Sequence, residues 1–574
     1  MILSVKERAY KMNNEGEVMD MKVVKHITVI LLVMVFIIAG CNSNNTSQTT
    51  NTTSTNNTNS VQGNSGDSSQ TTNQEGAEQP QSPIELSYWS VLNNTASASV
   101  SHLGEVLLYQ ELEKRSNIKI NFTHPSSSGV DEQFNLLIVS RDLPDIIEYD
   151  WLSKYNGGPA KAISDSIIIP LNDLINEHAP NIKKYFDENQ DVLKDISTDS
   201  GVIYTVPSVA KSQIVANSGL MLRKDWLDEL QLEVPETLDE WEIVLQAFKD
   251  KKGAKAPLSL DVGFVNPILY AFGIEARNNG GEKFYLDNGK VKYGPMQPEF
   301  KAYLELMHAW IEKGLLDPDF MIHDRSTWQG KAINGDAGAF FGYAGSAMGN
   351  FTAAGIELND NYELIAAPYP VLNKGEKPKL IELVPLHHPQ SGGAITTAND
   401  YPVETIKWFD YVFSEEGHML KNFGVEGLTY NLVDGYPKFT DLIMKNPEGL
   451  NFNHALGKYA RANYSGPGIN NDIRVAQQQY ELPEQIDALT IWSQNPEEAY
   501  KRKMPNASAT PEEAQEIARL TSEINTYQEE MTLRFIMGND PIANFDRYVE
   551  RLESLGVGRL VELRQAQVDR YTNR

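Results

Sequence analysis

The only cysteine among 574 residues, Cys41, stands where an apolar run ends and a polar tract begins. A lone thiol makes no internal disulfide and belongs to no CxxC redox or zinc motif. The other reactive side chains form no catalytic signature: HExxH, GxSxG and phosphate-loop sequences are absent. His387 and His388 are adjacent, and neighbours in an extended strand point to opposite faces, which makes them a poor metal pair. Asp/Glu pairs are plentiful, but a pair without a spacing in three dimensions does not define a glycosidase. The stretch DENQDVLKDIST (187–198) alternates Asp187, Asn189 and Asp191 as a calcium loop does. It lacks glycine at the sixth loop position and carries Thr198 where a bidentate Glu belongs, so it reads as a solvated acidic turn. These patterns argue against an enzyme, and no metal or cofactor is expected.

The position of Cys41 gives it a different chemistry. Lys22 and Lys25 precede the apolar run Ile27 to Ala39, whose 13 residues fall short of the roughly 20 that span a bilayer. A charged start, a short apolar centre and small residues at the end make a secretory signal over residues 1–40. Ile38-Ala39-Gly40-Cys41 resembles a bacterial lipobox, which implies a diacylglycerol on the Cys41 thiol and cleavage just before it. The leader starts at Met1 or, in a more ordinary form, at Met21. Residues 42–82 contain 32 Asn, Ser, Thr or Gln among 41, with no aromatic, Lys or Arg. Such a chain cannot bury enough apolar surface to offset its ordering entropy, and 41–82 reads as a lipidated, disordered tether spanning roughly 35 Å.

The remaining body must position any binding residues by apolar burial alone, without disulfides. The chain's net charge of −27 argues against nucleic acid and against electrostatic attachment to anionic lipid. Strand-like IELSYWSV (84–91), a helix over LGEVLLYQELEKRSNI, strand-like KINFTHP, a helix over Val130 to Arg141 and a strand over Asp145 to Tyr149 follow in turn. This βαβα order predicts a parallel sheet flanked by helices, with ligands beyond the carboxyl ends of the strands. GVIYTVPSVAK reads as a strand reaching Pro207, and the next strand ends near Arg223, with Asp225 as the N-cap of a helix. Thr237 with Glu240, and Thr510-Pro511 with Glu513, form capping boxes that open two further helices, the second running to about Met537. Trp226, Trp241 and the stripe Ile517, Ile524, Tyr527, Met531 and Phe535 read as core.

The ordered set DLPDII (142–147), IPLNDLINEHAPN (169–181), LRKDWLDELQLEVPETLDEW (222–241), EKGLLDPDF (312–320), GKAINGDAGAFFG (330–342), AITTANDYPVETIKWFDYVFSEEG (394–417) and FGVEGLTYNLVDG (423–435) resembles extracellular solute-binding proteins of family 1. These are the receptor components of carbohydrate ABC importers, and the likeness is to their long lipoprotein branch in Gram-positive bacilli. The resemblance implies an α/β, two-lobed periplasmic-binding-protein fold of type II with a helical C-terminal part. Lobe 1 is expected over 83–210 and 369–436, lobe 2 over 211–368 and 437–574. Crossovers are expected near Val206 to Lys211 and Tyr369 to Gly392. It further implies a monomeric receptor on the extracellular face of the cell membrane. That receptor captures a carbohydrate, in this reading an oligosaccharide, and delivers it to separate permease subunits. A sensor or glycan-scavenging module without transport shares the fold, and a peptide or other solute remains an alternative ligand.

By the same resemblance, the strand end after PDII supplies an aromatic and a polar group, here Tyr149, Asp150 and Trp151. Tyr343 in AFFGYAG stands where relatives offer an aromatic from the second lobe, although Tyr-Ala follows the glycine where relatives often have Trp. Trp492 in TIWSQ falls at a late aromatic position. Asn93 and Asn94 after the first strand, and Lys211 at the crossover, complete the expected ligand-binding set. Many long members carry an EF-hand-like calcium loop after the PETLDEW helix. KDKKGAKAPLSL (249–260) replaces its carboxylates with lysines, and calcium needs six to eight oxygens.

Overall fold

The computed structural model describes residues 83–574, apart from 127, 212–213, 261–265, 279–281, 321–324, 386 and 461–465. The signal, Cys41 and the tether lie outside the described residues. Two sheets organise the body into two lobes. The first has six strands in the order Gly468–Asn470, Val206–Ala210, His387–Ile395, Ile146–Glu148, Ile84–Trp89 and Ile118–Thr123. His387–Ile395 runs antiparallel to both its neighbours, and the remaining pairs are parallel. The second sheet orders Leu364–Ala366, Ser218–Arg223, Ala339–Tyr343 and Leu258–Ser259.

Each sheet is buried by helices, as the alternation of elements requires. Leu86, Tyr88 and Ile146 of the first sheet pack with Leu108, Leu112, Ile406 and Phe409. Leu220 and Leu222 of the second pack with Trp226, Trp241 and Phe248, and this core extends through Ile524 and Phe535 to Leu560 and Leu563 of the C-terminal helices. Both capping boxes form: the Thr237 hydroxyl accepts from the Glu240 amide, and the Thr510 hydroxyl from the Glu513 amide.

Four expectations differ in detail. Residues 437–460 and 466–470 stay with the first lobe: Phe439, Ile443, Ala455 and Leu456 pack around Phe423, and Gly468–Asn470 pairs with Val206–Ala210. Val206–Ala210 is itself a strand of the first sheet, so the first crossing begins only after Ala210. Asp225 lies inside helix Lys224–Leu230 rather than at its cap, because its carboxylate receives the Arg223 guanidinium at 2.8 and 2.5 Å. Finally, 187–195 is not a turn but the junction of helices Pro180–Glu188 and Gln190–Asp195, with Asp187 and Asp191 exposed and Asp195 buried. At 249–253, the helix Leu238–Lys252 ends on Gly253 (φ 71°), and Lys249 Nζ donates to the Lys313 carbonyl at 2.5 Å. Three lysines around this end do not fit a divalent cation.

Candidate functional site

The chain passes between the two sheets three times, after Ala210, after Ala366 and after Asn470. Backbone bonds tie these crossings together: Val384 N–H donates to Val215 O at 2.8 Å, and Lys211 N–H to Asn470 O at 2.8 Å. A cavity of about 480 Å³ opens against them. Ile214 and Asn217 line it from the first crossing, with Ser218 at the start of the strand that follows, Glu382 to Pro385 from the second, and Asn471, Asp472, Val475, Ala476, Gln479 and Tyr480 from the third. The first lobe adds Asn93, Thr95, Asn453 and Leu456; the second adds Tyr343, Gly345 and Ser346. The walls therefore come from both lobes and from every segment that joins them.

Local sequence explains several of these placements. Ile84–Trp89 ends and the chain turns into helix Asn94–Ser97, for which the Asn93 side chain accepts the Ala96 amide at 2.9 Å. Tyr343 closes the strand Ala339–Tyr343 opposite Ser218 and is 41% exposed. The following wide helical turn is held by Gln485 Nε2, which donates to Ala344 O at 2.8 Å. Gly345 permits close packing there, since a Cβ would sit 2.9 Å from the Tyr480 ring. Ser218 Oγ is buried behind the lining and has no hydrogen-bond partner among the described residues.

Two carboxylates border the cavity. Asp472 caps helix Ile473–Gln479 and receives Arg474 Nε at 2.9 Å, a second Arg474 nitrogen at 2.6 Å and His418 Nε2 at 2.9 Å. Burial pushes its carboxyl up, but the Arg474 and His418 bonds more than reverse this and hold it well below the usual carboxylate range. Glu382 accepts from the Tyr270 hydroxyl at 3.2 Å and from Arg277 at 3.3 Å. Behind it, Glu275 is buried beside the same two residues.

Of the residues expected from sequence, Tyr343 and Asn93 line this cavity. Asn94 is the first residue of the short helix that Asn93 caps. Trp151 is fully buried: its ring meets Phe134 edge-on at 5.3 Å, and its Nε1 donates to Ile147 O at 3.4 Å. Tyr149 donates its hydroxyl to Asp131 and packs on Trp89 and Phe134. Asp150 caps the turn that follows by accepting the Leu152 and Ser153 amides. Trp492 is also fully buried, with Nε1 donating to Leu220 O and Ala367 O at 3.3 and 3.1 Å. It packs against Gly219, where any Cβ would overlap the indole. Lys211 is exposed beside the first crossing but does not line the cavity. The crossing residues from Asn471 to Tyr480 are not among those the sequence singles out, since no local motif marks them.

Two α/β lobes joined by three crossings, with a cavity at the joint, define a receptor that holds its ligand between lobes. Residues 105–419, more than half of the chain, match the bacterial extracellular solute-binding protein family, and the chain belongs to it. FusA of Streptococcus pneumoniae serotype 4, a fructooligosaccharide ABC transporter substrate-binding protein, is 26% identical over 502 residues, spanning 83% of this chain and 89% of FusA. YtcQ of Bacillus subtilis, a polygalacturonan/rhamnogalacturonan-binding protein, is 22% identical over 508 residues, spanning 86% and 92%. Among solved structures, alginate-binding protein AlgQ2 aligns with a TM-score of 0.66 at 25% identity over 85% of this chain and 99% of that one. An extracellular solute-binding protein from Bifidobacterium longum subsp. infantis aligns at 0.69 with 20% identity, over 85% and 99%. Among the described residues no helix is long and apolar enough to cross a membrane.

Proposed function

We propose that the protein is the receptor of an ABC importer and captures an oligosaccharide in the cavity between its lobes. The observation that carries this reading is the cavity wall itself, built from both lobes and all three crossings. A ligand touching both lobes stabilises their closed arrangement by its differential affinity, and the closed form is what a membrane permease can distinguish. Tyr343 and Tyr480 supply aromatic surface for the apolar face of a sugar ring, and Asn93, Asn217, Asn471 and Gln479 supply amides for its hydroxyls. The relatives support a carbohydrate: FusA is named for a fructooligosaccharide and YtcQ for a polygalacturonan, one neutral and one acidic. In this reading the chain is a binding protein without catalytic residues and works as a monomer. Cys41 carries the lipid that holds it to the outer face of the membrane. A diacylglycerol has two chains, enough for stable anchoring.

A thermal-shift screen of the protein against mono- and oligosaccharides, with peptides as the contrast, tests the reading. A glycan that binds raises the melting temperature by mass action. A shift with peptides and with no glycan would sink the carbohydrate assignment. Cys41→Ser tests the anchor separately: it should release the protein from membranes and leave ligand binding intact.

A further inference from the structure

The charges around the cavity select among oligosaccharides, an inference that rests on the carbohydrate reading above. Among the described residues that line the cavity there is no lysine or arginine. The two charged side chains in the lining are Glu382 and Asp472, on different crossings. The cations nearest to them are engaged. Arg474 forks onto Asp472 at 2.9 and 2.6 Å, and His418 takes the same carboxylate at 2.9 Å. Arg277 lies against Glu382 at 3.3 Å and against Glu275 at 3.1 Å. Neither arginine is among the residues that line the cavity.

What the described lining leaves for a ligand is neutral: amides from Asn217, Asn471 and Gln479. A sugar hydroxyl moving into this wall exchanges water for amide and hydroxyl bonds of similar strength. A sugar carboxylate or phosphate loses its water and gains no cation from the described lining, because the guanidiniums beside the wall are already paired with Asp472 and Glu382. Rejection of this kind is specificity by desolvation without a compensating cation, and it needs no contact with the neutral ligand. We propose that the cavity takes neutral oligosaccharides and excludes those that carry uronic acid or phosphate groups.

The test is calorimetric titration of the intact protein with matched pairs that differ only at C6 of each residue: α-1,4-galacto-oligosaccharides with oligogalacturonates, and β-1,4-manno-oligosaccharides with oligomannuronates. The expected result is binding of a neutral member, with its acidic partner weaker by at least about tenfold. Affinity for the neutral member should not change with salt concentration, because no ion pair forms. The paired variant Glu382→Gln with Asp472→Asn should narrow the gap, with the melting curve confirming that it folds. Binding of an acidic member as tightly as its neutral partner, or of acidic members alone, would overturn the proposal. Binding of peptides only, or of no glycan, would instead remove the carbohydrate reading and this inference with it.

Discussion

Arg574 joins the C-terminal helical part to Asp199 of the first lobe: Nε and a terminal nitrogen donate to one carboxylate oxygen at 2.9 and 2.5 Å. Its other terminal nitrogen donates to the carbonyls of Lys194 and Ser197 at 2.9 and 2.7 Å. Arg570 reaches the second Asp199 oxygen at 2.9 Å, and the Tyr571 hydroxyl donates to Asp195 at 2.5 Å. Helix Val557–Thr572 is packed into the core of the second lobe, while Val192 and Ile196 belong to that of the first. The lobes are thus bridged at a point that none of the three crossings uses.

That bridge should resist changes in lobe spacing. Arg574→Ala removes charged bonds to two backbone carbonyls and is expected to cost about 2 kcal/mol in urea unfolding. Asp199→Ala, at a third-exposed carboxylate, should cost about 1 kcal/mol or less. A double-mutant cycle should show coupling between them, and small-angle scattering without ligand should show a broader range of lobe separations for Arg574→Ala. Additive effects and unchanged scattering would mean that the bridge is passive surface.

Glu275 makes stability depend on pH. Burial pushes its carboxyl up from 4.5 to about 8; Arg277 opposes the rise, and Glu382 and Glu282 add to it. An acid whose folded value is raised contributes stability that is whole below about 4.5, since both states are then neutral. That contribution is lost as pH rises toward about 8, because the unfolded chain ionises first. Glu275→Gln should therefore flatten the decline between these limits and leave the variant more stable than the wild type at the alkaline end. Chemical unfolding across this range measures it, and an unchanged slope would assign the pH dependence to other groups.

Trp151 and Tyr343 should separate packing from binding. Trp151→Ala empties a fully buried site and should cost about 3–5 kcal/mol of stability. Tyr343→Ala, at an exposed ring on the cavity wall, should change stability by about 1 kcal/mol or less and weaken the ligand about tenfold. Melting curves paired with calorimetry check both. A stable Trp151→Ala with lost binding, beside an unaffected Tyr343→Ala, would reverse the assignment.

The sequence made the local architecture legible where one turn of chain decides it. Thr237 with Glu240 and Thr510 with Glu513 announce their helices because both partners of each capping box lie within four residues. The strands at 84, 118 and 146 follow from apolar runs bounded by helices. Trp151 was harder: an aromatic beyond a strand end looks available, yet Asp150 caps a turn there and the indole enters the core beside Phe134. The third crossing was not legible at all. Asn471 to Tyr480 reach the cavity because Gly468–Asn470 pairs with Val206–Ala210, some 260 residues earlier, and no local pattern encodes a partner at that distance. The family resemblance supplied the two lobes, while the cavity wall required the crossings to be seen together.

The central claim is that the ligand sits in the cavity between the lobes. Ala476 lines that cavity from helix Ile473–Gln479 and is half-buried, so Ala476→Trp places an indole in the space without displacing a polar partner. Calorimetric titration of the wild type and of this variant with the oligosaccharide found by the thermal-shift screen tests the claim most directly. The account predicts binding by the wild type and none by the variant, with matching melting curves in the absence of ligand. Wild-type affinity in a folded Ala476→Trp protein would contradict it and move the site elsewhere.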